Sequence, residues 1–260
     1  MSKRDDYFLD LTDRTILVTG GGAGIGRGIC LACGDAGANV AILAPSENGA
    51  RTQDAVKARG GSALWVQGDV TVAADVERAV ARAVEIFGGL DGIVHNAIDR
   101  RSGSEIEIQN ATDDQWESAI GVSLRGAFNL ARAAFPHLRP GRGRLLLMTS
   151  PAAMEGAVRR HAYAAVKGAL RGFAKSLAVE WGRYGISVTC LSPLSMTPGL
   201  ESAIAANPAL KARLDRVVPL ARVGDPETDI APVVAFLMSS GSGYINGQTI
   251  IVDGGRFTTL

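Results

Sequence analysis

"TILVTGGGAGIGRG", residues 15–28, reads as a short buried strand that runs into a glycine-rich turn and out into a helix. The run T-I-L-V-T has no polar alternation, as expected of a strand covered on both faces. Gly20, Gly22, Gly24 and Gly26 follow it, with Ile25 between the last two. Glycines at such a junction allow a tight turn and bring backbone N–H groups at a helix start close to an anion such as a pyrophosphate. A glycine-rich turn is common in isolation. One that closes the first strand of a βαβ series points to a dinucleotide.

Six further apolar runs continue that series, at residues 39–43, 63–67, 91–97, 144–150, 186–192 and 249–255. Between them lie helical stretches with recognisable starts. Thr112 and Gln115 form a capping box ahead of "QWESAI", and Asp225 precedes Pro226 as an N-cap before a first-turn proline. This alternation predicts a doubly wound parallel α/β sheet of Rossmann type, with residues 1–260 as a single domain. Such sheets bind ligands at the carboxyl ends of their strands.

Composition narrows the classes of partner. A formal net charge of +1 gives no electrostatic motive for nucleic acid or an anionic membrane. The N-terminus "MSKRDDYFLDLTDR" is acidic where a secretory leader would be apolar. No apolar run approaches the ~20 residues of a membrane helix. A soluble, cytoplasmic protein is expected. Cys30 and Cys33 form a C-x-x-C inside a helical stretch without a second pair, and Cys190 lies in an apolar strand, so all three read as packing residues. His95, His137 and His161 lack metal-ligand spacing, no metal is expected, and no G-x-S-x-G is present. Trp116 and Trp181 read as core or interface residues, and "RPGRGR" at 139–144 as a solvated turn.

"AYAAVKGAL", residues 162–170, places Tyr163 one helical turn before Lys167. On a helix the two Cβ atoms lie about 5–6 Å apart on one face. Read alone, this is either a surface pair or a proton donor beside its tuning charge. Other polar residues mark strand ends: Asp69 and Val70 after the third, Asn96 and Ala97 after the fourth, Ser150 at the fifth, Pro193 at the sixth.

The spacing T-G-x-x-x-G-x-G, these strand-end residues in order, Tyr163 thirteen residues after Ser150, and "YINGQTIIVDGG" at 244–255 together resemble the short-chain dehydrogenase/reductase family. The pattern is closest to its ketoacyl-reductase-like members and runs over roughly residues 10–256. The resemblance implies an NAD(P)-dependent oxidoreductase that moves hydride between a nicotinamide and a ketone or secondary alcohol. It implies Tyr163 as general acid/base, Ser150 as the hydroxyl orienting the substrate oxygen, and Lys167 as the group that binds the ribose and lowers the tyrosine pKa. It assigns Gly20, Gly22, Gly24, Ile25, Gly26, Asp69, Val70, Asn96, Ala97, Pro193 and Thr197 to the cofactor, besides Tyr163 and Lys167. Simple electrostatics agrees: an ammonium ~4–5 Å from a phenol, at an effective dielectric of ~20, favours the phenolate by roughly 3–4 kcal/mol, against a free value of about 10 and an opposing burial cost.

The chain departs from the family pattern at identifiable places. Ser123 stands where a fourth catalytic residue, an asparagine of a water relay, is usual. His95 and Ile98 replace the outer residues of N-N-A-G, Leu194 replaces a glycine, and Thr197 falls one residue early. A catalytically weak nucleotide-binding sensor or scaffold is therefore the alternative expectation. Ala44 ends the second strand where an NAD site carries an acid, which favours NADP over NAD. Ser46 is the candidate 2′-phosphate contact, with Arg51 in reserve. Residues 194–219 are expected to form a substrate lid offering Met196, Leu200 and Ile204, with Arg100 and Arg101 on the opposite rim. No arginine cluster grips an anion, and Pro136 and Val179 stand where ketoacyl reductases often carry docking arginines, so a neutral carbonyl or alcohol is the expected substrate. Two helical stretches, 116–135 and 162–181, carry more apolar and small residues than one buried stripe needs, and a homo-oligomer, tetramer or dimer, is expected.

Overall fold

A computed structural model describes residues 9–99, 101, 104–138 and 142–258 of the chain. Each of the seven apolar runs becomes a strand: β1 Thr15–Thr19, β2 Asn39–Ala44, β3 Ser62–Gln67, β4 Gly92–His95, β5 Arg144–Met148, β6 Ser187–Pro193 and β7 Thr249–Val252. They pair in parallel in the order β3-β2-β1-β4-β5-β6-β7. Side chains alternate between the two faces with period two. Leu17, Ile93, Leu145 and Leu147 enter one core. Ile16, Val18, Val94 and Leu146 enter the other. Each face needs its own helices. On the first face the core is completed by α3 (Ala73–Phe87), α5 (Gly126–Leu138) and α7 (His161–Trp181). On the second it is completed by α1 (Gly24–Asp35), α2 (Asn48–Ala58) and α10 (Ala231–Met238).

Three strands are shorter than the apolar runs that predict them, and the shortening builds the site. β4 stops at His95, β5 at Met148 and β7 at Val252. Asn96, Ala97 and Ser150 therefore stand in loops just beyond the sheet. The Asn96 and Ala97 N–H groups leave the ladder because each donates to Thr19 Oγ1 at 3.1 Å.

The stretch 116–135 is not one regular helix. It comprises α4 (Asp113–Ala119), a π-helical segment Ile120–Arg125, and α5. The wider turn places Ser123 wholly inside the protein. Thr112 forms both arms of its capping box with Gln115. Asp225 caps the Glu227 and Thr228 N–H groups at 2.8 Å, opening a π-helical entry, Pro226–Ile230, into α10.

A four-residue helix α6 (Ala152–Glu155) packs on α7, and α8 (Pro198–Ala206) and α9 (Ala209–Val217) follow β6 and pack on each other. Neither α8 nor α9 contains a fully buried residue. Cys30, Cys33 and Cys190 are free and buried as expected, and burial pushes the Cys33 thiol up to about 12. Trp181 is core, packed on Phe135, whereas Trp116 stays 40% exposed.

Candidate active site

The strand order reverses between β1 and β4, and the carboxyl ends of these two strands open the crevice where doubly wound sheets bind ligands. Thr19 organises it. Its Oγ1 accepts from two backbone N–H groups, so its own proton is left for His95 Nδ1 at 3.0 Å. Nε2 of the same ring faces the Ser123 carbonyl at 2.8 Å and must carry the N–H. Hydrogen-bond accounting therefore fixes one neutral tautomer of His95. Burial agrees, pulling its pKa down to about 4. The Asn96 amide donates to the carbonyls of Thr19 and Gly20, each at 3.2 Å, and so braces the glycine turn.

That turn fits a dinucleotide. Gly20 and Gly24 adopt φ of 65° and 50°, a conformation side chains disfavour. A Cβ at Gly26 would lie 2.3 Å from the Gly20 carbonyl oxygen, so only glycine permits this packing. No side chain caps α1 at Ala23, which leaves the first-turn N–H groups of Gly24, Ile25 and Gly26 for an external anion. Thr197 caps α8 through Leu200 N–H, and its neighbour Pro198 comes close to Gly24, so the start of α8 crosses above the turn.

Further along the strand ends, Asp69 Oδ1 accepts from Thr71 N–H at 2.8 Å, and Val70 is buried with its carbonyl held by Asn129. At the end of β2, Ala44 is buried, its carbonyl accepting from Trp65 Nε1 at 3.1 Å, and no acid occupies the position. Ser46 is half-buried in the following loop, and Arg51 reaches Asn48 Oδ1 at 3.5 Å. Pro193 ends β6.

On the opposite side, α7 brings Tyr163 and Lys167 together. Lys167 Nζ lies 5.7 Å from the Tyr163 ring centroid and donates to the Met148 carbonyl at 2.7 Å, two residues before Ser150. Thr149 Oγ1 donates to the Lys167 carbonyl at 2.9 Å, so the end of β5 and this turn of α7 are joined twice. Burial pulls the Lys167 pKa down to about 8. The Ser150 Oγ accepts weakly from Ala152 N–H at 3.3 Å and keeps its proton for another partner. The Ser123 Oγ is buried without a hydrogen-bond partner, while its carbonyl is taken by His95.

Tyr163 borders a cleft lined also by Asp99, Ser104, Gln115, Arg160 and His161. The Arg160 guanidinium sits 4.4 Å above the Tyr163 ring centroid. Arg101 on the rim is paired with Asp99 and Asp114, and Arg159 with Glu105. Arg100 lies outside the described residues. Met196, Leu200 and Ile204, in the segment expected to form a lid, are half-buried. Sequence reading weighed His161 only as a metal ligand and did not place it in this cleft. The available signal was its position two residues before Tyr163 at a helix start. Among the described residues, no three His, Cys, Asp or Glu side chains converge as a metal site.

Comparison with known proteins agrees with this geometry. A family model described as enoyl-(acyl carrier protein) reductase matches residues 20–256. The chain is 36% identical to a versicolorin reductase of Emericella nidulans over 270 residues, covering 99% of this chain and all of that one. It is 33% identical to the 3-oxoacyl-(acyl-carrier-protein) reductase of Staphylococcus aureus over 247 residues, 94% of this chain and 98% of that one. A solved structure described as an NAD(P)-dependent gluconate 5-dehydrogenase from Beutenbergia cavernae, with NADP bound, superimposes with a TM-score of 0.88 at 28% identity, covering 96% and 98% of the two chains. With a reversed strand order at a glycine turn, Tyr163 and Lys167 on one face of α7, and relatives matched along nearly its whole length, this chain belongs to the short-chain dehydrogenase/reductase family and is an oxidoreductase of that family.

Proposed function

We propose that the chain interconverts a ketone and a secondary alcohol, with Tyr163 as the proton-transfer group and NADP as the preferred cofactor. The observation that carries this reading is the buried Lys167 ammonium 5.7 Å from the Tyr163 ring, held at the end of β5 by the Met148 carbonyl. When bound, the nicotinamide supplies or accepts the hydride. The first-turn N–H groups of α1 would hold the pyrophosphate, Asp69 and Val70 the adenine, Lys167 the ribose, and Thr197 with Pro193 the nicotinamide side.

In the reducing direction the Ser150 hydroxyl donates to the carbonyl oxygen and holds it in place. Tyr163 then gives its phenolic proton to that oxygen as negative charge develops there, so carbonyl carbon and oxygen gain one hydride and one proton. The negative charge left on the phenol is stabilised by Lys167 and by Arg160 over the ring, both fixed before reaction. Ser123, the expected fourth member of the set, has its carbonyl held by His95 and its buried hydroxyl without a partner.

The absence of an acid at Ala44 supports NADP, because no carboxylate repels a 2′-phosphate there. Ser46 is the group that would receive it, against the opposing charge of Glu47, the N-cap residue of α2. NADP bound to the Beutenbergia cavernae relative is consistent with this choice. Tyr163→Phe tests the mechanism: turnover is expected to fall at least a thousandfold while NADPH still binds, by nicotinamide fluorescence, and more tightly than NADH. Unchanged turnover would remove Tyr163 from the reaction. Tighter NADH binding would reverse the cofactor assignment.

A further inference from the structure

The segment after β7 turns back and reaches the short helix that follows Ser150. Arg256 forks onto Glu155, Nη1 to Oε1 at 3.0 Å and Nη2 to Oε2 at 3.2 Å, although the two stand 101 positions apart in the chain. Two parallel bonds from a rigid guanidinium fix a carboxylate in direction as well as distance. Both ends of this fork are built. The buried Asp253 carboxylate accepts the Gly255 N–H at 2.9 Å and the Phe257 N–H at 2.8 Å, which holds the backbone on either side of Arg256. The Leu220 N–H adds a bond to the Gly254 carbonyl at 3.2 Å. At the other end Glu155 closes α6, where the Ala153 N–H donates to the Ser150 carbonyl at 2.9 Å and the Glu155 N–H to the Pro151 carbonyl at 3.0 Å. None of the four residues of α6 is buried, and Gly156 ends it at a φ of 78°. A helical turn this short does not hold its shape alone.

We infer that Arg256 is a positioning residue for the Ser150 hydroxyl, acting through Glu155 and the α6 turn. The inference rests on Ser150 being the group that orients the substrate oxygen. Ser150 stands beyond the end of β5, so the sheet ladder does not fix it. Its direction is set by the turn it opens: the Ala152 N–H bonds to its Oγ and the Ala153 N–H to its carbonyl. Glu155 fixes the far end of that turn, and Arg256 fixes Glu155. The two side chains are 32% and 33% exposed, and an ion pair that open adds little to global stability. Its effect is local. Without the fork, the Ser150 hydroxyl samples orientations that miss the carbonyl oxygen, and fewer complexes are poised to react.

The test uses the full chain with Arg256→Gln, with Glu155→Gln, and with the exchanged pair Glu155→Arg and Arg256→Glu. Hydrogen exchange read by mass spectrometry reports local opening and needs no turnover. Either single variant is expected to speed exchange at residues 153–156 at least fivefold, with β5, α1 and Tm unchanged. The exchanged pair is expected to return it to within twofold of the wild type. Activity is read with NADPH on acetophenone, cyclohexanone and ethyl acetoacetate. For the best of these, Arg256→Gln is expected to lower kcat at least fivefold with NADPH affinity unchanged, and the exchanged pair to recover most of the loss. In a Ser150→Ala background, Arg256→Gln is expected to cost less than a further twofold, because the group it positions is gone. Unchanged exchange at 153–156 would overturn the inference whatever the activity. So would faster exchange with wild-type kcat, or a loss as large without the Ser150 hydroxyl as with it. Those results would leave the oxidoreductase reading standing. No turnover of any ketone by the wild type would instead count against that reading, and exchange would then decide the Arg256 fork alone.

Discussion

Lys167 holds a charge inside the protein at a measurable cost. Its ammonium titrates at about 8 in the fold against 10.5 for an ordinary lysine, because burial disfavours the charged form. Below pH 8 the folded and unfolded chains both carry the proton, and the fold bears the full desolvation cost. Between about 8 and 10.5 the folded chain releases its proton first, unfolding takes one up, and stability rises with pH by about 3 kcal/mol across that window. The buried thiols of Cys30 and Cys33 oppose this: they keep their protons above pH 9 and reduce stability there. The expected measurement is therefore a difference. Urea denaturation at pH 7.5 and pH 10 should show the gain in the wild type relative to Lys167→Met, and an identical pH response in the two would refute the buried ammonium. The sequence shows Tyr163 and Lys167 on one helical face, because that spacing is local. It does not show the partner of Lys167, the Met148 carbonyl, which is nineteen residues away in the chain and adjacent only across the β5–α7 contact.

The element that shapes the cofactor end is the turn between β1 and α1. Its glycines are legible in the sequence as a turn, but which of them is indispensable depends on what each backbone meets. Gly26 is the tightest: a Cβ there would come within 2.3 Å of the Gly20 carbonyl oxygen and 2.5 Å of the Asn96 amide nitrogen. Gly26→Ala should therefore weaken NADPH binding at least tenfold and lower Tm, since the turn must open to admit the methyl group. Retained affinity and Tm would show that the turn yields more easily than its packing implies. Other elements divide in the same way. The capping box at Thr112 is legible because its partners are three residues apart. The π-helical segment at Ile120–Arg125 is not, because nothing in "IGVSLR" distinguishes a π turn from an α turn. Gly126, just after it, lies so close to Val70 and His95 that a Cβ there would meet both.

Across the whole molecule, the two sheet faces consume the apolar side of every long helix, yet apolar groups remain outside. Val179 on α7 is 87% exposed, and Phe128 on α5 is 40% exposed, with the Arg125 and Arg132 guanidinium groups at 6.0 and 5.7 Å from its ring centroid. Copies of this chain are expected to associate through these helices as a dimer or tetramer. Sedimentation should show that assembly, and Val179→Arg should shift it to a smaller species with the fold intact by circular dichroism. A monomeric wild type would refute it. Periodicity, turn chemistry and capping act between neighbours in the chain, so the order of strands and helices, the glycine turn and the Tyr163–Lys167 spacing could be named from residues in a row, whereas only the family resemblance joins Ser150 to that pair. The tautomer of His95, the unpaired Ser123 hydroxyl, the pairing of Arg101 with Asp114 and the stacking of His161 on Trp116 could not. The bonds that fix His95 and the stacking of His161 on Trp116 join segments tens of residues apart. Such contacts exist only once the sheet has set which strand ends and helix starts stand side by side.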